Sequence, residues 1–186
     1  LISRVSVNWH GPGAAAVKAK LEALKGIPVN QIMLGNGSDE VIDLLFRIFC
    51  EPGQDEVIIL PPTYGMYQVS ADINNVGVVT VPLKKRFVPD VPAILAAANE
   101  KTKILWLCTP NNPSGNDFPA SDIEQLLKEF PGVVVIDEAY VDFAGRDTYI
   151  GWLERYRNLV VMQTFSKAWG LAGIRLGMAF GSPEII

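Results

Sequence analysis

Five short apolar runs recur along the chain, Val57 to Leu60, Val76 to Val81, Ile104 to Cys108, Val133 to Ile136 and Leu159 to Met162, and several are separated by a stretch of helical length. They are dominated by valine, isoleucine and leucine and lack the strict apolar/polar alternation of a half-wet strand. A strand that is apolar on both sides must be covered on both sides, and the intervening helices, such as 121–130, are the available cover. The rhythm therefore predicts an α/β fold: a three-layer sandwich with a mostly parallel central sheet and helices on both faces. A further helix is expected to begin at Ser38, with Ser38 as a hydroxyl cap and Asp39 and Glu40 in its first turn, because the apolar residues from Val41 to Cys50 fall at helical spacing.

In such sheets ligands bind beyond the carboxyl ends of the strands. Three of the runs are followed by polar groups: Thr109-Pro110-Asn111-Asn112-Pro113, Asp137-Glu138-Ala139-Tyr140 and Thr164-Phe165-Ser166-Lys167. An amide, a carboxylate with a phenol, and an amine are thus delivered to one edge. An isolated lysine is usually a solvated charge, but Lys167 follows a buried strand directly, where desolvation is expected to lower its pKa and leave a neutral amine able to attack a carbonyl. Asp137 emerges from an apolar strand and needs a cationic partner; a protonated pyridine nitrogen would serve, and so would a helix cap or a structural ion pair. Tyr140 can donate a hydrogen bond to a ligand or pack its ring. Ser38 and Asp39 open a helix after Gly35-Asn36-Gly37, an arrangement that attracts phosphate, and Ser166 and Arg175 would add a hydroxyl and a fixed positive charge to the same anion. Neither a Gly-x-x-x-x-Gly-Lys-Ser/Thr loop nor a Gly-x-Gly-x-x-Gly turn after a strand is present, so nucleotide readings lose their main support.

The charge balance removes other classes. Sixteen basic against twenty acidic residues give a net charge of -4, which offers no basic field for nucleic acid or an anionic membrane, so a small-molecule partner is expected. No apolar stretch approaches the roughly 20 residues that span a bilayer. Cys50 and Cys108 end apolar runs and read as buried, reduced thiols of a cytoplasmic protein. His10 has no metal-ligand company, and Met33, Met66, Met162 and Met178 read as core filling. The chain begins at Leu1 and stops shortly after Ser182-Pro183-Glu184, where another helix would start, and so reads as a fragment.

Asn112-Pro113, Asp137-x-x-Tyr140 and Ser166-Lys167 with Arg175 eight residues on resemble the fold-type I, class I/II aminotransferases, which use pyridoxal 5′-phosphate (PLP). The strings from Gly35 to Glu40, from Pro62 to Tyr67 and from Thr164 to Arg175 are similar to the histidinol-phosphate branch of that family. The resemblance runs from about Ala16 to Ile186. It implies a PLP-binding large domain over 16–186, incomplete, after an atypical segment 1–15, with a C-terminal small domain absent. It also implies that Lys167 forms the Schiff base and then shuttles the substrate's proton, that Asp137 pairs with the pyridinium nitrogen, and that Asn112 and Tyr140 hydrogen-bond the 3′ oxygen. Tyr64 would stack on the ring, and the backbone at Ser38 and Asp39, with Thr164, Ser166 and Arg175, would hold the phosphate. The activity implied is transamination between L-histidinol phosphate with 2-oxoglutarate and imidazole acetol phosphate with L-glutamate, in a homodimer. Alternatives are a threonine-phosphate decarboxylase, an aromatic aminotransferase, and a regulator that keeps the domain as a ligand-binding module. Before Ala16 the pattern departs. Relatives carry an Arg-Tyr-Pro segment whose tyrosine reaches the neighbouring subunit, where Asn8, Trp9 and His10 stand here, so that contact is not carried over.

Overall fold

A computed structural model describes residue 11 and residues 13–186. The segment containing Asn8, Trp9 and His10 lies outside the described residues. One seven-stranded sheet organises the chain: β1 (Ile32–Asn36), β2 (Glu56–Ile59), β3 (Gly77–Thr80), β4 (Thr102–Cys108), β5 (Val133–Asp137), β6 (Leu159–Thr164) and β7 (Leu176–Gly181), in the order β1-β7-β6-β5-β4-β2-β3. All five apolar runs are strands, and they form the parallel block β6-β5-β4-β2-β3. The α/β architecture with a mostly parallel sheet is as expected.

Two strands were not visible as apolar runs. β7 pairs antiparallel with both β6 and β1. Gly177 and Gly181 interrupt its pattern, and Gly35 does the same in β1. Strand formation there follows from tertiary fit rather than from β propensity. A Cβ on Gly177 would lie 2.3 Å from the Gly37 carbonyl carbon and 2.4 Å from the Ser38 nitrogen, so β7 can pass under that turn only as glycine.

Among the described residues five α-helices cover the sheet: α1 (Gly13–Lys25), α2 (Ser38–Phe49), α3 (Met66–Ile73), α4 (Val91–Ala97) and α5 (Ala120–Glu129). Alternate residues of each strand feed two cores. Leu105 and Leu107 of β4, with Val134 and Ile136 of β5, pack with Leu21 of α1, Ile94 of α4 and Ile123, Leu126 and Leu127 of α5. Ile104, Trp106 and Cys108, with Val135 and Met162, pack with Val41, Ile42, Leu45 and Phe46 of α2 and Tyr67 and Ala71 of α3. This double cover is why the central strands read as continuous apolar runs. Helix α2 starts where the sequence predicts, but its N-cap is Gly37 and not Ser38. Gly37 has φ 78°, and a Cβ there would meet the Arg175 guanidinium at 2.3 Å, so a residue that could cap with a side chain does not fit.

Candidate active site

The parallel strands β4, β5 and β6 point their carboxyl ends at one edge, and the direction of β7 brings Arg175, just before it, to the same edge. β1 runs opposite to β7, so its end and the start of α2 arrive there as well. The strand order fixes the lateral order of the groups: the α2 N-terminus and Arg175, then Ser166 and Lys167, then Asp137 and Tyr140, then Asn112. With neighbouring strands about 4.8 Å apart, β7 to β4 spans about 14 Å.

These residues line a single open cleft, with Ser38, Asp39, Tyr64, Cys108, Asn112, Asp137, Ala139, Tyr140, Ser166, Lys167 and Arg175 in its wall. Nine of the ten residues selected from sequence are among them. The tenth, Thr164, is buried beneath: its hydroxyl accepts from the Ser166 N–H at 3.1 Å and lies 3.2 Å from the Leu176 carbonyl oxygen and 3.0 Å from Ser166 Oγ. Thr164 shapes the turn that presents Ser166.

Asp137 ends the central strand at the cleft floor and is 2 % exposed. Oδ2 accepts from the Tyr67 hydroxyl at 2.7 Å and Oδ1 from the Ala139 N–H at 3.0 Å. Both donors are neutral, and among the described residues no lysine or arginine forms an ion pair with Asp137. Burial raises its pKa, with Asp39 and Glu138 adding to the rise, while Tyr67 and Ala139 oppose it. An ion pair within the chain and a helix cap, the two structural alternatives, are therefore not what Asp137 makes here.

The cationic end of the cleft is built differently. Arg175 has a left-handed backbone (φ 52°, ψ 50°) and places Nη2 3.6 Å from Asp39 Oδ2. The other Asp39 oxygen accepts from the Tyr64 hydroxyl at 3.0 Å. The Asp39 side chain is thus occupied by its neighbours, and the start of α2, whose first N–H groups carry the positive end of the helix dipole, lies in the cleft wall. Tyr64 stands edge-on to Tyr67, centroids 5.7 Å apart, and burial pushes its hydroxyl pKa up.

Lys167 differs from expectation. It is exposed, in the turn that follows β6. Its Nζ lies 5.4 Å from the Tyr140 ring centroid at the lip of the cleft.

Sequence reasoning assigned no role to Tyr67, Glu138 or Arg146. Tyr67 lies three residues after Tyr64, and a tyrosine on the buried side of a helix was the one available signal, since a buried hydroxyl needs a partner. Glu138 is fully covered and accepts from Arg146 Nη1 (2.8 Å), the Tyr149 N–H (2.9 Å), Gln163 Nε2 (2.9 Å) and the Thr148 hydroxyl. Arg146 also contacts Asp117 Oδ1 at 2.9 Å and the Thr109 carbonyl at 2.8 Å. The pair thereby ties the loop bearing Asn112 to the loop bearing Tyr140. Removing one partner of a buried ion pair leaves an uncompensated charge, so Arg146→Met is expected to destabilise the fold by about 3–5 kcal/mol in urea unfolding. A loss below about 1 kcal/mol, the range of an exposed pair, would mean that the neutral donors alone sustain Glu138.

The sequence model of the family "Aminotransferase class I and II" matches residues 9–186. The chain belongs to the class I and II aminotransferases. It is 57% identical to the histidinol-phosphate aminotransferase of Christiangramia forsetii over 96% of its own length and 51% of that protein. It is 55% identical to that of Cytophaga hutchinsonii over its whole length and 53% of the relative. Among solved structures, the histidinol-phosphate aminotransferase of Sinorhizobium meliloti in complex with pyridoxal-5′-phosphate superposes with a TM-score of 0.85 at 29% identity, covering 94% of this chain and 48% of that one. The chain thus spans about half the length of these relatives.

Proposed function

We propose that the full-length protein is a PLP-dependent aminotransferase that moves an amino group between L-histidinol phosphate and 2-oxoglutarate. The observation that carries this reading is Asp137, a buried carboxylate at the floor of an open cleft, held by two neutral donors and, among the described residues, without the cation its burial calls for. A protonated pyridine nitrogen satisfies that requirement. An anion-favouring corner on one side and an amine at the lip suit a ring that carries a phosphate and an aldehyde. The identity to proteins named histidinol-phosphate aminotransferase supports the substrate.

In this reading the α2 N-terminus, Ser166 and Arg175 bind the phosphate. Tyr64 packs against the ring, and Asn112 and Tyr140 hold its 3′ oxygen. Asp137 keeps the ring nitrogen protonated. When bound, PLP supplies a carbon that amines can attack and a ring that stores the electron pair released at the substrate's Cα. Lys167 Nζ would be the amine that holds the cofactor and, when free, would take up and return the substrate's Cα proton. We place the group that grips the substrate carboxylate in a small domain within the half of the relatives' length not spanned here, and the protein in the cytoplasm, where the free Cys50 and Cys108 would stay reduced. Among the described residues no helix is long and apolar enough to cross a membrane. A homodimer would cover the exposed Phe143, Trp169, Leu171 and Ile174.

The test uses the purified full-length protein loaded with PLP and supplied with L-histidinol phosphate. Formation of imidazole acetol phosphate, with L-glutamate once 2-oxoglutarate is added, is the expected result. Carbon dioxide release from threonine phosphate, or faster turnover of an aromatic amino acid, would overturn the assignment of substrate.

A further inference from the structure

The Tyr67 side chain is fully buried, sits 70 residues from Asp137 in sequence, and has no contact with the open cleft that would explain a polar group there. A phenylalanine would fill the same space. The ring is clamped: it stacks on Trp106 at 4.7 Å with 16° between planes, Trp106 stacks in turn on Phe46 at 5.5 Å, and Tyr64 meets its edge. A ring held on these sides has its hydroxyl directed by packing, and the hydroxyl meets Asp137 Oδ2 at 2.7 Å. From these contacts we infer that Tyr67 is a positioning residue for the cofactor: its hydroxyl favours the carboxylate form of Asp137 against burial and fixes the direction in which that carboxylate faces the ring nitrogen. The inference rests on the reading of Asp137 proposed above.

The chemistry supports that role. Burial pushes the Tyr67 hydroxyl well above its ordinary range, so it carries its proton at any working pH and acts on Asp137 as a donor. One donor falls on each carboxylate oxygen, Tyr67 on Oδ2 and the Ala139 N–H on Oδ1. Each oxygen therefore retains lone-pair capacity for a further donor from the cleft. The remaining titratable groups near Asp137 cannot replace Tyr67. Asp39 from α2 and Glu138 just after β5 disfavour its charge, Cys108 from β4 is held as a thiol with its pKa pushed up to about 12, and Tyr64 is a phenol turned to Asp39. Without Tyr67 the carboxylate keeps one backbone donor against full desolvation, and its proton would be the one a ring nitrogen needs.

The experiment compares full-length wild-type protein with Tyr67→Phe, which keeps the clamped ring and deletes the hydroxyl. Aspartate carboxyl carbons are labelled with 13C, the Asp137 signal is assigned with Asp137→Asn, and its titration is followed in cofactor-free protein. Affinity for PLP is measured separately by fluorescence quenching. In Tyr67→Phe the Asp137 titration is expected to move upward by about one pH unit and the PLP Kd to rise about tenfold, the scale of a lost hydrogen bond to a charged group. Incorporating 3-fluorotyrosine at position 67, whose hydroxyl is the stronger donor, is expected to move the titration downward. Opposite shifts from two isosteric changes would not come from altered packing. An Asp137 titration that stays in place in both proteins would overturn the inference, as would an unchanged Kd in Tyr67→Phe. If PLP does not bind the wild-type protein, the functional reading fails on its own, and the Asp137 titration still decides whether Tyr67 governs that carboxylate.

Discussion

Replacing Lys167 by alanine in the full-length protein is expected to abolish covalent retention of PLP. Borohydride treatment followed by peptide mass spectrometry should find the cofactor's mass on the peptide containing Lys167 in wild type and on no peptide in the variant. Lys103 pairs with Asp55, and Lys128 pairs with Glu124 on α5; neither lines the cleft. Lys167 is the only lysine in the wall of that cleft among the described residues. Turnover should fall by at least about 10²–10⁴, the contribution of one positioned acid-base group, with the lost covalent step added to it. Noncovalent binding should persist, because the α2 N-terminus, Ser166, Arg175 and Asp137 are untouched. Cofactor found on Lys103 or Lys128 would overturn the assignment.

The exposure of Lys167 shows where sequence reasoning stops. Its place after β6 was legible because the Leu159 to Met162 run and the turn after it are local features. Its solvent contact depends on what covers the sheet edge, which no local pattern encodes. The same division holds elsewhere. Asp137, Tyr140 and Asn112 were legible because strand ends in a parallel sheet must meet at one edge. Tyr67 and Arg146 were not, because their partners lie 70 and 8 to 37 residues away and only the folded chain brings them together. β1 and β7 escaped notice for a related reason. Gly35 and Gly177 weaken the strand pattern where the turn at Gly37 and the start of α2 must approach β7 closely. The features that shape the anion-favouring corner are thus the ones that obscure its strands.

Asp137→Asn is expected to separate function from stability, and to move them in opposite directions. Asparagine is nearly isosteric and can still accept from Tyr67, but it carries no charge with which to hold a ring nitrogen protonated. Turnover should fall on the order of 10²–10³, the usual loss when one preorganised electrostatic group is removed. That loss should exceed the loss from Tyr140→Phe, which deletes one hydrogen bond at the cleft wall. The sign of the stability change follows from linkage. Asp137 has its folded-state pKa raised above 3.8, so the fold disfavours its ionised form. Any stability it contributes is fully present below the unfolded value and is lost as pH rises through the folded one. The asparagine variant has no such loss. Cofactor-free Asp137→Asn should therefore melt close to wild type in acid, below the ordinary aspartate range, and above wild type at neutral pH, with the gap opening as pH increases. Thermal unfolding of both proteins across that range measures it directly. A variant that melts below wild type at neutral pH while keeping most of its turnover would identify Asp137 as a structural carboxylate and remove the central support for a pyridinium partner in this cleft.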